Sequence, residues 1–207
     1  MEQIKEYEYV DLGLPSGLKW AKCNVGAETE TDFGDYFMWG STTPNTDTPC
    51  NWKNAPFNNG SSEYNEEYFN THISEWLNED SGEYLTLKPE FDAATQIMGG
   101  DWRMPTQDEF QELIDNTTKE WTQVNGVNGY KFTSKKEGYQ NNSIFIPAAG
   151  SCGDGSVDSV GSYGSVWSSS LYASDHGNAW SLDFDSGYCH MSGSYRGYGL
   201  SVRGVRK

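Results

Sequence analysis

No stretch of this 207-residue chain approaches the roughly eighteen consecutive apolar residues that a helix needs to cross a bilayer, so a membrane-spanning helix is excluded. The opening Met1-Glu2-Gln3-Ile4-Lys5-Glu6 lacks the basic and then apolar start of a secretory leader. Basic residues are scarce, 14 against 30 acids, and the net charge is −16. A phosphate backbone repels such a surface, which removes nucleic-acid binding from the reading. Cysteines number four, Cys23, Cys50, Cys152 and Cys189, and no two form a C-x-x-C pair. The three histidines, His72, His176 and His190, show no H-x-x-x-H spacing, so the closely paired ligands of a zinc site are missing. Four cysteines do not make a disulfide scaffold; they read as free thiols, with a disulfide or two if the chain is exported.

Hydrophobic residues make up only 35 %, yet aromatics reach 14 %, with 8 Trp, 13 Tyr and 9 Phe. Tyr and Trp build a core while keeping a polar tip, so the composition is that of a globular chain and not of a disordered one. Beside 7 Pro stand 23 Gly, which points to many tight turns. The charge is uneven. Residues 1–140 hold 25 acids and 10 bases, whereas residues 141–207 hold 5 and 4, and between Gln140 and Lys207 there is no Lys, Glu or Gln.

Residues 7–25 read as strand, turn and strand around Leu14-Pro15-Ser16-Gly17, and Phe33–Gly40 as a short buried strand. From about 41 to 82 the chain is polar and weakly periodic, the pattern of a surface insertion. Two helices follow. The first is expected over Pro89–Met98, ending at Gly99-Gly100. The second starts at a capping box, Thr106-Gln107-Asp108-Glu109, and buries Phe110, Leu113 and Ile114. Asn125-Gly126 and Asn128-Gly129 are turn signals. Trp180, Leu182 and Phe184 alternate with Ser181, Asp183 and Asp185 as in a half-buried strand; Ser186-Gly187 turns, and Tyr188–Met191 returns antiparallel. A loop is expected over Ser192–Gly199 and a last strand over Leu200–Val205. Strands, then helices, then strands make an α+β domain of 1–207 with no repeat of solenoid period.

The segment Asp11-Leu12-Gly13-Leu14-Pro15-Ser16-Gly17-Leu18-Lys19-Trp20-Ala21, followed by Cys23-Asn24-Val25-Gly26-Ala27, resembles the opening of a domain common in gut Bacteroidetes and related to the Fibrobacter major paralogous domain. Gly99-Gly100-Asp101-Trp102-Arg103-Met104-Pro105-Thr106, Ile144–Gly150, Trp167-Ser168-Ser169-Ser170 and Gly199-Leu200-Ser201-Val202-Arg203 continue the resemblance in order. It implies the C-type lectin-like fold in the version shared with formylglycine-generating enzymes: two helices and small antiparallel sheets supporting a loop-rich ligand face.

The last forty residues resemble the variable region of proteins diversified by a diversity-generating retroelement, here about 172–203. Template adenines, typically in AAC codons, are replaced there, so varied positions hold only residues with codons ending in C; Lys, Glu, Gln, Met and Trp are excluded. Tyr188, Cys189, His190, Ser192, Gly193, Ser194, Tyr195, Gly197 and Tyr198 obey the rule, as do Asp175, His176, Gly177, Ser181, Asp183, Asp185 and Leu200. Met191 and Arg196 interrupt the run as fixed scaffold positions would. A Gly/Ser/Tyr-rich loop that meets the rule by composition alone is the competing reading. The resemblance implies an adhesin or receptor-binding protein whose Tyr, Ser and Gly contact a protein or glycan on another cell, in the manner of antibody-like paratopes.

Calcium-dependent lectins use Glu-Pro-Asn or Gln-Pro-Asp with Trp-Asn-Asp; none of these occurs, and no cofactor is expected. Asp183 and Asp185 read as two solvated surface acids. Catalysis of the formylglycine-generating type needs a reactive cysteine pair. Cys152 and Cys189 could approach each other, but the residues around them do not match, and no G-x-S-x-G, P-loop or Rossmann fingerprint is present, so no enzyme is expected. A glycan-binding surface module without diversification, or a pilus-associated module, is the alternative. Relatives occur as monomers and as trimers. The expected site of action is outside the cell, at a cell surface or on a phage virion.

Overall fold

The computed structural model describes residues 6–45, 48–78 and 85–207. In chain order the strands are β1 (Tyr9–Asp11), β2 (Lys19–Asn24), β3 (Phe37–Met38), β4 (Leu77–Asn78), β5 (Thr86–Leu87), β6 (Thr117–Val124), β7 (Val127–Ser134), β8 (Ser143–Pro147), β9 (Ser151–Gly153), β10 (Ser156–Asp158), β11 (Tyr163–Leu171), β12 (Asn178–Asp185), β13 (Cys189–Tyr195), β14 (Gly199–Leu200) and β15 (Arg203–Arg206). The helices are α1 (Glu66–Trp76), α2 (Ala93–Met98) and α3 (Gln107–Asn116). The strands form four antiparallel sheets, ordered β1-β2-β15, β10-β9-β14-β3, β13-β12-β11-β5-β4 and β6-β7-β8. The architecture is α+β, as the C-type lectin-like resemblance implies.

Local signals explain the α2–α3 region. Asp92 caps α2 with its Oδ1 accepting from the Thr95 amide at 2.8 Å, while its Oδ2 accepts from the Met104 amide at 2.8 Å. That cap splits the expected Pro89–Met98 helix into a 3-10 turn, Pro89–Phe91, and α2. At α3 the capping box forms: Thr106 Oγ1 accepts from the Glu109 amide and Glu109 Oε2 from the Thr106 amide. Arg103 then grips the same carboxylate with both terminal guanidinium nitrogens, Nη1 and Nη2, at 2.7 and 2.5 Å.

The five-stranded sheet is buried on both faces at its centre. Leu182 and Phe184 of β12 enter one core with Phe110, Phe132, Ile146 and Val166. Trp167 of β11 enters a second core with Phe37, Trp39 and Leu200, and its Nε1 donates to Phe37 O at 2.7 Å. β12 is thus not the half-buried strand that its alternation predicts, because Ser181 and Asp183 lie on the Trp167 side and are buried there too. Gly164 of β11 stands opposite Phe184, and a Cβ at this position would lie 2.1 Å from the Phe184 ring.

Two further expectations are corrected. Asn125-Gly126 makes the β6–β7 turn, with φ of 49° and 86°, but Asn128-Gly129 lies inside β7. Gly129 is there for close packing, since a Cβ would sit 2.3 Å from Ile146 O of the neighbouring strand. The expected Ser192–Gly199 loop shrinks to Arg196–Tyr198, because Ser192–Tyr195 continue the ladder with β12.

The segment at about 41–82 contributes core rather than surface alone. It carries α1, capped by Asn65 Oδ1 on the Tyr68 amide, and buries Phe57, Phe69, Trp76 and Leu77 in the Trp167 core. Phe57 stacks on Trp76 with centroids 4.6 Å apart. Few apolar residues suffice because each ring buries a large area, which is why a mostly polar stretch can hold a helix in place. Arg196 locks this segment to the sheet. Its side chain is 0 % exposed, with the guanidinium carbon 4.0 Å from the Phe69 ring centroid and 5.4, 5.6 and 5.8 Å from those of Tyr64, Trp52 and Trp39. Nε donates to His176 O at 2.8 Å, and the Arg196 amide donates to Gly177 O.

Replacing Arg196 by alanine empties that cage and should cost about 3 kcal/mol, a fall of about 6–12 °C in Tm by thermal melt. Gly164→Val drives two methyls into Phe184 and should cost about 2 kcal/mol, or about 4–8 °C. An unchanged melt in either variant would contradict the packing described.

Candidate functional site

β13 is the edge strand of the five-stranded sheet, and its pairing with β12 fixes which way each side chain points. Cys189 and Met191 stand opposite Phe184 and Leu182 and pack onto the α3 core. His190, Ser192 and Ser194 stand opposite Asp183, Ser181 and Ala179 and take the other face. His190 is exposed and the two serines half-exposed.

Three tyrosines, one at each side of this strand and one at its end, are partly open to solvent: Tyr188 is 39 %, Tyr195 53 % and Tyr198 44 % exposed. Tyr188 lies against His190, centroids 4.8 Å apart. Tyr195 meets Tyr198 edge-on at 5.8 Å and Trp52 at 6.5 Å, and Trp52 continues to Tyr64 at 5.2 Å. Such rings offer wide amphipathic contact area at little rotamer cost. Trp52 was absent from the sequence-derived set; a solitary Trp in a polar stretch, Cys50-Asn51-Trp52, is the one signal that could have marked it.

Beneath β13 runs a polar network. Ser165 Oγ and Ser181 Oγ both donate to Asp183 Oδ1, at 2.6 and 2.8 Å, and Ser181 Oγ lies 2.9 Å from Ser194 Oγ. Burial, and secondarily the Asp183 charge, push the Tyr163 phenol well above the usual tyrosine range, so it stays neutral. Asp185 Oδ1 accepts from the Gly187 and Tyr188 amides at 2.6 and 3.2 Å and so shapes the β12–β13 turn. The expectation of two solvated acids is therefore corrected: Asp183 is a buried acceptor and Asp185 a turn cap. Among the described residues no three His, Cys, Asp or Glu gather as metal ligands.

The sixteen sequence-derived positions divide by burial. Tyr188, His190, Gly193, Tyr195 and Tyr198 are exposed; Ser192, Ser194, Cys189 and Asp185 are half-buried. Asp175 is exposed and His176 half-buried in the turn before β12, where Asp175 Oδ1 accepts from the Gly177 amide and His176 Nδ1 lies 2.6 Å from Asn70 Oδ1 of α1. Gly177, Ser181, Asp183, Gly197 and Leu200 are buried and present little or nothing to a ligand. Leu200 packs in the Trp167 core because β14 pairs with β3. Gly197 has the Asn51–Trp52 backbone 3.3 Å from where a Cβ would stand. Codon arithmetic admits these five but cannot see what covers them.

The cysteines do not assemble as the enzyme comparison required. Cys152 faces Cys50, with Sγ atoms 3.0 Å apart, and not Cys189. Burial pushes the Cys189 thiol up to about 12 and raises that of Cys50 as well, whereas cysteine nucleophiles need the thiolate. A cavity of about 530 Å³, lined by Glu6, Glu8, Lys22, Cys23, Glu28 and Glu30 among others, shares no residue with the β13 face.

The model of the Lcl C-terminal domain family matches residues 14–206. It is a family of lectin-like binding domains and not of enzymes, with the C-type lectin-like fold of retroelement-diversified variable proteins. No curated protein and no solved structure matches the chain. With the motif order, the α+β architecture and a match over nearly its whole length in agreement, the chain belongs to the Lcl C-terminal domain family.

Proposed function

We propose that this protein binds a protein or glycan on another cell through the exposed face of β13 and the loop that follows, and that a diversity-generating retroelement varies that face. The contact set is Tyr188, His190, Ser192, Gly193, Ser194, Tyr195 and Tyr198, with Trp52 as a neighbour from outside the varied region. It acts outside the cell, at a cell surface or on a virion, and carries no catalytic role.

One observation carries the reading. Within residues 188–198 Met191, which no codon ending in C encodes, packs onto the α3 core beside Cys189, and Arg196, the other residue that interrupts the run, is enclosed in its aromatic cage. The permitted residues between them are mostly exposed or half-exposed. Variation confined to such positions alters the contact surface without altering core volume, which is what repeated diversification demands. Tyr195 and Tyr198 serve as affinity anchors, as aromatics do in binding hot spots. Calcium-free stacking of sugar rings on Tyr195, Tyr198 and Trp52 is the form that glycan recognition takes on this surface.

Screening the protein against intact bacterial cells and a glycan array should give selective capture. Tyr195→Ala and Tyr198→Ala should abolish that capture while moving Tm by about 2 °C or less, since both residues are exposed. A large loss of stability would make them core residues instead. The gene offers an independent check. Codons 188, 190, 192–195 and 198 should end in C, and a nearby near-repeat should carry adenines at those positions beside a reverse-transcriptase gene. Mixed codons with no template would leave an undiversified lectin-like module.

A further inference from the structure

Cys50 and Cys152 are 102 residues apart in sequence, yet their Sγ atoms lie 3.0 Å apart in a buried pocket. Both backbones are held independently of the sulfurs. Cys50 O accepts from the Asp154 amide at 3.0 Å, and Cys152 pairs with Val157 of β10 and Gly199 of β14. Gly199 leaves the room: a Cβ there would stand 2.6 Å from Cys50 Sγ and 3.0 Å from Cys152 Cβ, and would wedge the two apart.

Two close buried thiols serve a metal, a redox reaction or a covalent link. The pocket is lined by Met38 and Ala55 with Tyr36 and Trp52, and among the described residues no third His, Cys, Asp or Glu joins the pair as a metal site would require. Redox catalysis needs an accessible thiolate, and these sulfurs are covered. The covalent link is what remains, and only about 1 Å of approach separates the pair from a disulfide bond length.

We propose that Cys50 and Cys152 are the site of a structural disulfide, formed while the chain folds in an oxidising compartment. The oxidant is a disulfide of small-molecule or protein origin. One cysteine thiolate attacks a sulfur of that disulfide and expels its other half as a thiolate; the second cysteine thiolate then attacks the mixed disulfide. The Cys50–Cys152 bond forms, the oxidant's S–S bond breaks, and the two protons lost by the cysteines end on the two thiols released. Once the pocket closes, burial holds the bond away from reductants. The bond ties the Trp52-bearing segment to β9, whose Gly153 lies under Tyr198, with a Cβ there 3.6 Å from the ring. It thereby fixes both sides of the Trp52–Tyr195–Tyr198 group. This holds whether or not the face is diversified.

The test uses the full chain, refolded with reduced and oxidised glutathione, alkylated under denaturing conditions, and analysed by intact and peptide mass. The expected result is a bridge joining the Cys50 and Cys152 peptides, with Cys23 and Cys189 alkylated. Tm should fall by about 10 °C when the wild-type protein is unfolded and refolded in excess phosphine reductant. In a Cys50→Ser/Cys152→Ser variant that reductant-dependent difference should vanish. Four alkylated cysteines after oxidative refolding, or a bridge to Cys23 or Cys189, would overturn the proposal. So would a bridge whose reduction leaves Tm unchanged. The wild-type measurements decide the matter even if the double variant fails to fold.

Discussion

Among the described residues no carboxylate hydrogen-bonds the buried guanidinium of Arg196, and much of the surrounding structure is arranged around the need to satisfy it. Taking a charge out of water is costly unless something replaces the hydration. Here the replacement is a set of ring faces, from Phe69, Tyr64, Trp52 and Trp39, together with His176 O. Burial lowers the arginine to about 10, so it still carries its proton at neutral pH and the rings still face a cation. These contacts come from the 41–82 segment, from Trp39 just after β3 and from the turn before β12. One side chain thus fixes three parts of the chain relative to the strand that ends at Tyr195.

A second buried arginine solves the same problem differently. Arg203 donates to Asn24 Oδ1, Ala21 O, Lys22 O and Phe145 O, at 3.0, 2.9, 2.6 and 3.0 Å, and so joins β15 to β2 and β8. In a chain with 30 acids, neither arginine has a carboxylate among its hydrogen-bond partners within the described residues. Carbonyls and rings cannot be titrated away, so both struts persist over a wide pH range, whereas Arg103 takes a carboxylate that is partly exposed, Glu109.

What could be read from the sequence was local. The capping box at Thr106, the Asn125-Gly126 turn and the β12 alternation all depend on neighbours within a few residues, and each formed. What escaped depends on distant chain. Alternation showed that Leu182 and Phe184 are buried but not that Ser181 and Asp183 are covered from the far side. The polar 41–82 stretch hid Phe57, Phe69 and Trp76 because aromatic burial needs few residues and no regular stripe. Cys152 found Cys50 and not Cys189 because strand pairing through Gly199, and no spacing in the sequence, sets its neighbours. Of the sixteen positions that residue chemistry offered for a ligand face, burial takes Gly177, Ser181, Asp183, Gly197 and Leu200 off the surface, which no local pattern could show.

The placement of β13 at a sheet edge explains how one strand can be both fixed and free. Its register is set by the backbone ladder to β12, which asks nothing of side-chain identity, and by Met191 gripping the core. Exposed edges invite pairing with other chains, and the serines, glycine and short following loop keep this one polar where it faces solvent. Tyr195 and Arg196 then sit side by side with opposite fates, one ring in water and one cation in the cage. Any substitution at Tyr195 is made on a backbone that its neighbour already holds, so the surface can change while the support beneath it does not.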